Sequence, residues 1–171
     1  MTLVVIATII LIMKAKGNKK SVRLDTTCVA NECIAHRVRK INRVISSLYD
    51  EAIRHLGITV GQMNLLVQIN ELINANGFAR PSELGPRLQM ETSTLSRTLD
   101  RLRDKGFIDI LRDDEDGRAQ QLHLTDKAYN LLRRGIAPWE KAQQKATQLL
   151  GSGGVALIHR IDEAIDAERA C

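Results

Sequence analysis

A mainly α fold with one small β-hairpin is the architecture this chain predicts, and three observations predict it. Apolar residues recur at steps of three and four along most of its 171 residues. A short alternating stretch, residues 107–124, turns back on itself around the Asp116-Gly117 step. Gly and Thr punctuate the periodic segments at the positions where helices stop and start. With 44% hydrophobic and 26% charged residues, the chain is long enough for one well-buried domain and short for two.

The elements follow in order. From Asn31 to Leu56 the residues Ile34, Val38, Ile41, Ile45, Leu48, Ala52 and Leu56 form the stripe of a long amphipathic helix, with Arg37, Arg39, Lys40 and Arg43 on its other face. Gly57 ends it. Thr59 with Gln62 three residues on is a capping-box signature for a second helix, which carries Met63, Leu65, Leu66, Ile69, Leu72 and Ile73 to about Asn76 and Gly77. Pro81 suits the first turn of a third helix reaching Leu88, and Pro86 inside it predicts a short or distorted element. A fourth runs from Thr92 to Lys105 and stops at Gly106. Residues 107–111 read as a strand, 113–117 as an acidic turn and 120–124 as the returning strand. After Thr125 comes a long helix through Trp139 and Leu149, kinked at Pro138. Gly151 to Gly154 breaks it before a last helix through Val155, Ile158, Ile161 and Ile165.

Composition removes several functions. Two Phe, two Tyr and one Trp leave too few rings for a base-stacking platform that grips single strands. The net charge of +5 is concentrated in residues 1–30, where Lys14, Lys16, Lys19, Lys20 and Arg23 against Asp25 amount to +4 and leave +1 for the rest. Recognition of an anion therefore rests on where particular arginines sit. Cys28, Cys33 and Cys171 include no CxxC pair, and His36, His55, His123 and His159 form no ligand cluster. No disulfide framework, metal site, cofactor or catalytic motif is expected, and a reducing cytoplasm fits. The apolar run of residues 3–13 has about half the roughly 20 residues a bilayer span needs. Its lysines follow the run, the reverse of a signal peptide. Residues 1–30 read as a non-native or disordered extension, with Met13 as an alternative start, and no membrane partner is expected.

On the fourth helix Leu95, Leu99 and Leu102 share one side, while Ser93, Arg97, Asp100 and Arg101 point the other way. Alone, that is an ordinary solvated face. Behind a short helix and a tight turn it becomes the helix-turn-helix layout. There Ser93, Thr94 and Ser96 approach phosphates and base edges, and Arg97 or Arg101 forks onto guanine. The hairpin then reads as a wing, with Arg118 placed for a minor groove and Asp116 to orient it. Residues 80–118 hold eight basic and nine acidic side chains, so position, rather than bulk charge, carries this reading.

These residues resemble the MarR (multiple antibiotic resistance regulator) family of winged helix-turn-helix transcription factors. The likeness runs from Cys33 to Ala170. It passes through Gly57-Ile58-Thr59 with Gln62, Pro81-Ser82-Glu83-Leu84, Ser93-Thr94-Leu95-Ser96-Arg97, Leu99-Asp100-Arg101-Leu102, Lys105-Gly106-Phe107-Ile108, Asp116 with Arg118, and Leu124-Thr125. It implies a MarR-like domain over 31–171. Within it, 57–124 is a winged-helix lobe for double-stranded DNA, and 31–56 and 125–171 are N- and C-terminal dimerisation helices of a homodimer. It further implies release of a palindromic operator, by a repressor, on a small aromatic or anionic effector or on cysteine oxidation. Cys33, near His36 and Arg37 at a helix start, is the candidate redox sensor. Departures are Arg80 at a usual Thr or Ser position, the Gly85-Pro86 pair, and Gly117 where a second basic residue is common. A helical protein-interaction module that keeps the fold without binding DNA is the rival reading.

Overall fold

The computed structural model describes residues 26–112 and 120–169. The apolar run of residues 3–13, the wing tip with Asp116 and Arg118, and Cys171 lie outside the described residues. The chain divides into two compact units, residues 1–39 and 40–171.

In the first unit a short helix, α1 (Thr27–Glu32), ends at Cys33, whose extended backbone (φ −64°, ψ 109°) separates it from α2 (Ile34–Ile53), a helix that begins in this unit and has most of its length in the second. The long first helix expected from Asn31 to Leu56 is therefore interrupted at its start. It also tightens at its end into a 3₁₀ turn (Arg54–Leu56) closed by Gly57 at φ 71°. The apolar stripe begins only at Ile34, after the break at Cys33. Within this unit the Arg37 guanidinium donates to the Asn31 carbonyl.

The second unit is built around α3 (Val60–Asn76). Its first turn is capped as the sequence required: the Gln62 N–H donates to Thr59 Oγ1 at 3.3 Å, and the Thr59 N–H donates to Gln62 Oε1 at 3.3 Å. A third group joins them, because Asp50 Oδ1 at the end of α2 accepts the Val60 N–H at 2.6 Å. A carboxylate there also offsets the positive end of the helix. The next element, α4 (Pro81–Leu88), keeps Pro86 inside its eight residues. It closes on Gln89, which adopts the left-handed conformation at φ 54°. The Met90 N–H then returns to the Gly85 carbonyl at 3.0 Å, the closure that usually employs glycine. Holding a side chain in that region costs about 1–2 kcal/mol.

From this turn α5 (Thr92–Asp104) leads through Gly106 (φ 70°) into an antiparallel hairpin, β1 (Ile108–Arg112) and β2 (Gln120–Leu124). Ile108 faces Leu124 and Arg112 faces Gln120. Ala79 adds a bridge to the outer side of β2, exchanging both backbone bonds with Leu122 at 3.2 and 2.8 Å. Leu65, Leu66 and Ile69 of α3, Leu84 of α4, Leu102 of α5, and Ile108 and Leu122 of the hairpin are at most 1% exposed and form one core. Each contributes about 1.5–3 kcal/mol by burial.

The last element, α6 (Asp126–Arg169), is helical throughout except at Gly151 (φ 66°, ψ 168°). The break expected over Gly151 to Gly154 is thus a single residue. Pro138, where a kink is expected, lies inside the helix and removes one backbone donor there. Near its start α6 lies against α3 at Gly135, where a Cβ would stand 2.7 Å from Met63 Cε. The rest of α6 carries apolar residues that the described residues leave uncovered: Ile136, Trp139, Leu149, Leu157, Ile158, Ile161 and Ile165 are 41–60% exposed.

Candidate nucleic-acid interface

Leu95, Leu99 and Leu102 anchor α5 in the core at 3%, 4% and 0% exposure, and that anchoring turns the opposite face outward. Ser93, Thr94, Ser96, Arg97 and Arg101 all lie exposed on it. The structure thus brings five of the sequence-predicted residues onto one helix, and its N-terminus follows directly on the Gln89 turn. Glu91 occupies the N-cap position without a side-chain bond to the helix. The first backbone N–H groups of α5 are therefore left open to an acceptor from outside the helix.

The two arginines are held differently. Arg97 folds back one turn, its Nε donating to the Ser93 carbonyl at 3.0 Å and an Nη to Ser93 Oγ at 3.4 Å. Arg101 makes no hydrogen bond or ion pair among the described residues. It presents a whole guanidinium fork to solvent, the geometry that matches guanine or a phosphate. Arg103 is compensated, at 3.0 Å from Asp100 and 3.3 Å from Asp104. Asp100, which the helical wheel places on the outer face, is consequently occupied within its own helix.

Sequence reading missed what fixes the far end of α5. Lys105 Nζ donates to the Gly57 carbonyl at 2.8 Å and to Gln62 Oε1 at 3.3 Å, tying the end of α5 to the start of α3. Lys127 Nζ donates to the Lys105 carbonyl at 2.6 Å and stands 5.0 Å from the centre of the Phe107 ring. Thr125 Oγ1 donates to the Gly106 carbonyl at 2.8 Å. At the other end of the motif, the Arg80 N–H donates to Glu83 Oε2 at 3.0 Å and the Arg80 guanidinium lies 4.8 Å from the Phe78 ring centre. Glu83 thus makes the reciprocal half of a capping box, while the acceptor that a Thr or Ser at position 80 would offer is one a guanidinium lacks. The Lys105-Gly106 step was visible as a helix stop, but its partners lie 43 and 48 residues away.

Between α4, α5 and the hairpin runs an open groove of about 1220 Å³. Pro86, Gln89, Ser96, Asp100, Arg103, Arg112 and Gln120 are among its walls. Cys33 belongs to the first unit and is partly exposed with a free thiol. Among the described residues no group of His, Cys, Asp and Glu is placed to hold a metal ion, and no helix is long and apolar enough to cross a membrane.

A short helix, a tight turn, a second helix with an exposed hydroxyl and arginine face, and a hairpin behind it define a winged helix-turn-helix protein. Residues 58–119 match the MarR family model. A Bacillus subtilis (strain 168) protein named as an uncharacterized HTH-type transcriptional regulator, YybA, is 28% identical over 139 residues, 79% of this chain and 90% of its own. The regulator MosR of M. tuberculosis, solved with DNA, is 27% identical with a TM-score of 0.69, over 82% of this chain and 98% of that one. A mutant of MarR from E. coli, solved with operator DNA, shares the fold at 22% identity and a TM-score of 0.70, over 81% of this chain and 96% of that one.

Proposed function

We propose that this protein is a sequence-specific transcriptional regulator, a cytoplasmic repressor without enzymatic activity that binds a palindromic operator as a homodimer. The observation that carries the reading is the face of α5: five exposed residues able to reach bases and phosphates, on a helix held rigid by three buried leucines. Ser93, Thr94, Ser96, Arg97 and Arg101 enter the major groove in this reading. Arg118, oriented by Asp116, takes the adjacent minor groove. Two copies bring two such faces to half-sites about one helical turn apart.

The homodimer rests on α6 and α2. Their uncovered apolar residues, among them Ile41, Val44, Ile158 and Ile161, are 45–49% exposed in the single chain. Apolar area of that extent is characteristic of an interaction surface. Release by a small aromatic or anionic effector, or by oxidation of Cys33, is the part of the proposal carried by the family resemblance. The rival, a protein-interaction module, takes the same apolar faces but has no use for the arginine face of α5.

The test is a titration of the full chain, and of its Arg101→Ala and Arg118→Ala variants, onto the duplex upstream of its own gene and onto random duplex at two salt concentrations. Operator binding that falls steeply with salt is expected. Arg101→Ala should cost about 1–3 kcal/mol of operator preference with unchanged thermal stability. A flat salt dependence and no preference for either duplex would instead favour the interaction module.

A further inference from the structure

Arg112 does not belong to the site residues assigned so far, yet strand geometry directs it toward them. Along β1 the side chains alternate, so Ile108, Ile110 and Arg112 share a face. Ile108 is buried in the core shared with α5 and Ile110 is packed against it, and at the end of the strand Arg112 lines the groove together with its neighbour Leu111. Across the hairpin it faces Gln120, and Ser96 and Arg103 line the groove opposite. Arg103 is already compensated by Asp100 and Asp104, whereas Arg112 has no ion pair among the described residues. Among the described residues of the groove Glu91 is the remaining carboxylate besides Asp100, and it lies at the N-cap of α5.

We infer that Arg112, with Gln120 beside it, binds a phosphate of the DNA strand that passes between the recognition helix and the wing. The inference rests on the function proposed above. If α5 occupies a major groove and the hairpin reaches the adjacent minor groove, one phosphodiester strand separates the two grooves and must thread between those elements. The occupant of the groove is that strand, and Arg112, without an ion pair among the described residues, sits at the wall where the strand's charge passes.

Such a contact positions without reading sequence, which gives it a signature of its own. The full chain, Arg112→Gln and Arg112→Lys are titrated onto the upstream duplex and onto random duplex across a range of salt. Arg112→Gln is expected to weaken both duplexes by the same factor and to reduce the slope of log affinity against log salt by about one. Arg112→Lys, which keeps the charge, should retain the slope. A wild-type slope in Arg112→Gln, or a loss confined to the upstream duplex, overturns the phosphate contact and leaves Arg112 as a brace of the wing or a base reader. If the wild type binds neither duplex, the regulator reading itself falls, and the inference with it.

Discussion

The lobe formed by α3, α4, α5 and the hairpin closes upon itself, whereas α6 does not. Both regions are built from the same aliphatic residues at helical spacing. In the lobe, Leu65, Leu66, Ile69 and Leu84 are fully buried, because four elements meet around them within one chain. Along α6 the early residues Ala128 and Leu131 join that core, Ala142 and Ala146 are covered, and beyond them Ile158, Ile161 and Ile165 remain nearly half exposed. Amphipathic pattern states that a face is to be buried. It does not state whether the burying surface comes from the same chain.

The largest effect that can break this comparison comes from charging the open face. Ile158→Asp together with Ile161→Asp should convert a dimer to monomers in sedimentation equilibrium, at a cost of several kcal/mol, because each copy would have to bury two unpaired carboxylates. Were the double variant to sediment as the wild type does, the open face would not be the dimer interface. Next in size, Leu66→Ala should lower stability by about 2–5 kcal/mol through the cavity it leaves. That loss should appear in chemical unfolding without changing the sedimenting species, since the lobe's core is internal to each chain.

A smaller effect probes how α2 and α6 hold each other. Tyr49 donates its hydroxyl hydrogen to Gln143 Oε1, joining the two helices over 94 residues of sequence. Tyr49→Phe should cost about 1 kcal/mol in thermal unfolding, the net worth of one such bond. Burial raises the Tyr49 phenol above the ordinary tyrosine value by disfavouring the ionised form. The folded state therefore holds this proton more tightly than the unfolded state. The resulting stability is fully present at neutral pH and is lost as the pH climbs past the ordinary value and through the raised one. In Tyr49→Phe this alkaline component should disappear from the difference between unfolding curves at pH 8 and pH 11.

Much of this molecule was legible before its coordinates. The Thr59 and Gln62 cap, the stop at Gly106, the hairpin strands and the break at Gly151 each depend on residues adjacent in sequence, and each appears where local chemistry places it. The exposed face of α5 was legible because three leucines define its opposite. Cys33 interrupts the expected first helix before its apolar stripe begins. The left-handed Gln89 has no sequence signal, since that conformation is normally glycine's and is here accommodated by the packing of α4 against α5.

Sequence alone determined the helices, the hairpin, and which face of α5 meets solvent, because helix and strand periods and end caps act over a few residues. Tertiary structure decided what those elements do to one another. It placed Lys105 on Gly57, Lys127 on Lys105, Ala79 against Leu122, and Gly135 beneath Met63. It also decided that α6 would end with its apolar face uncovered and that Arg112 would line the groove beside α5. Those relations join residues tens of positions apart, and they exist only once the leucine core has closed and fixed the distances between its walls.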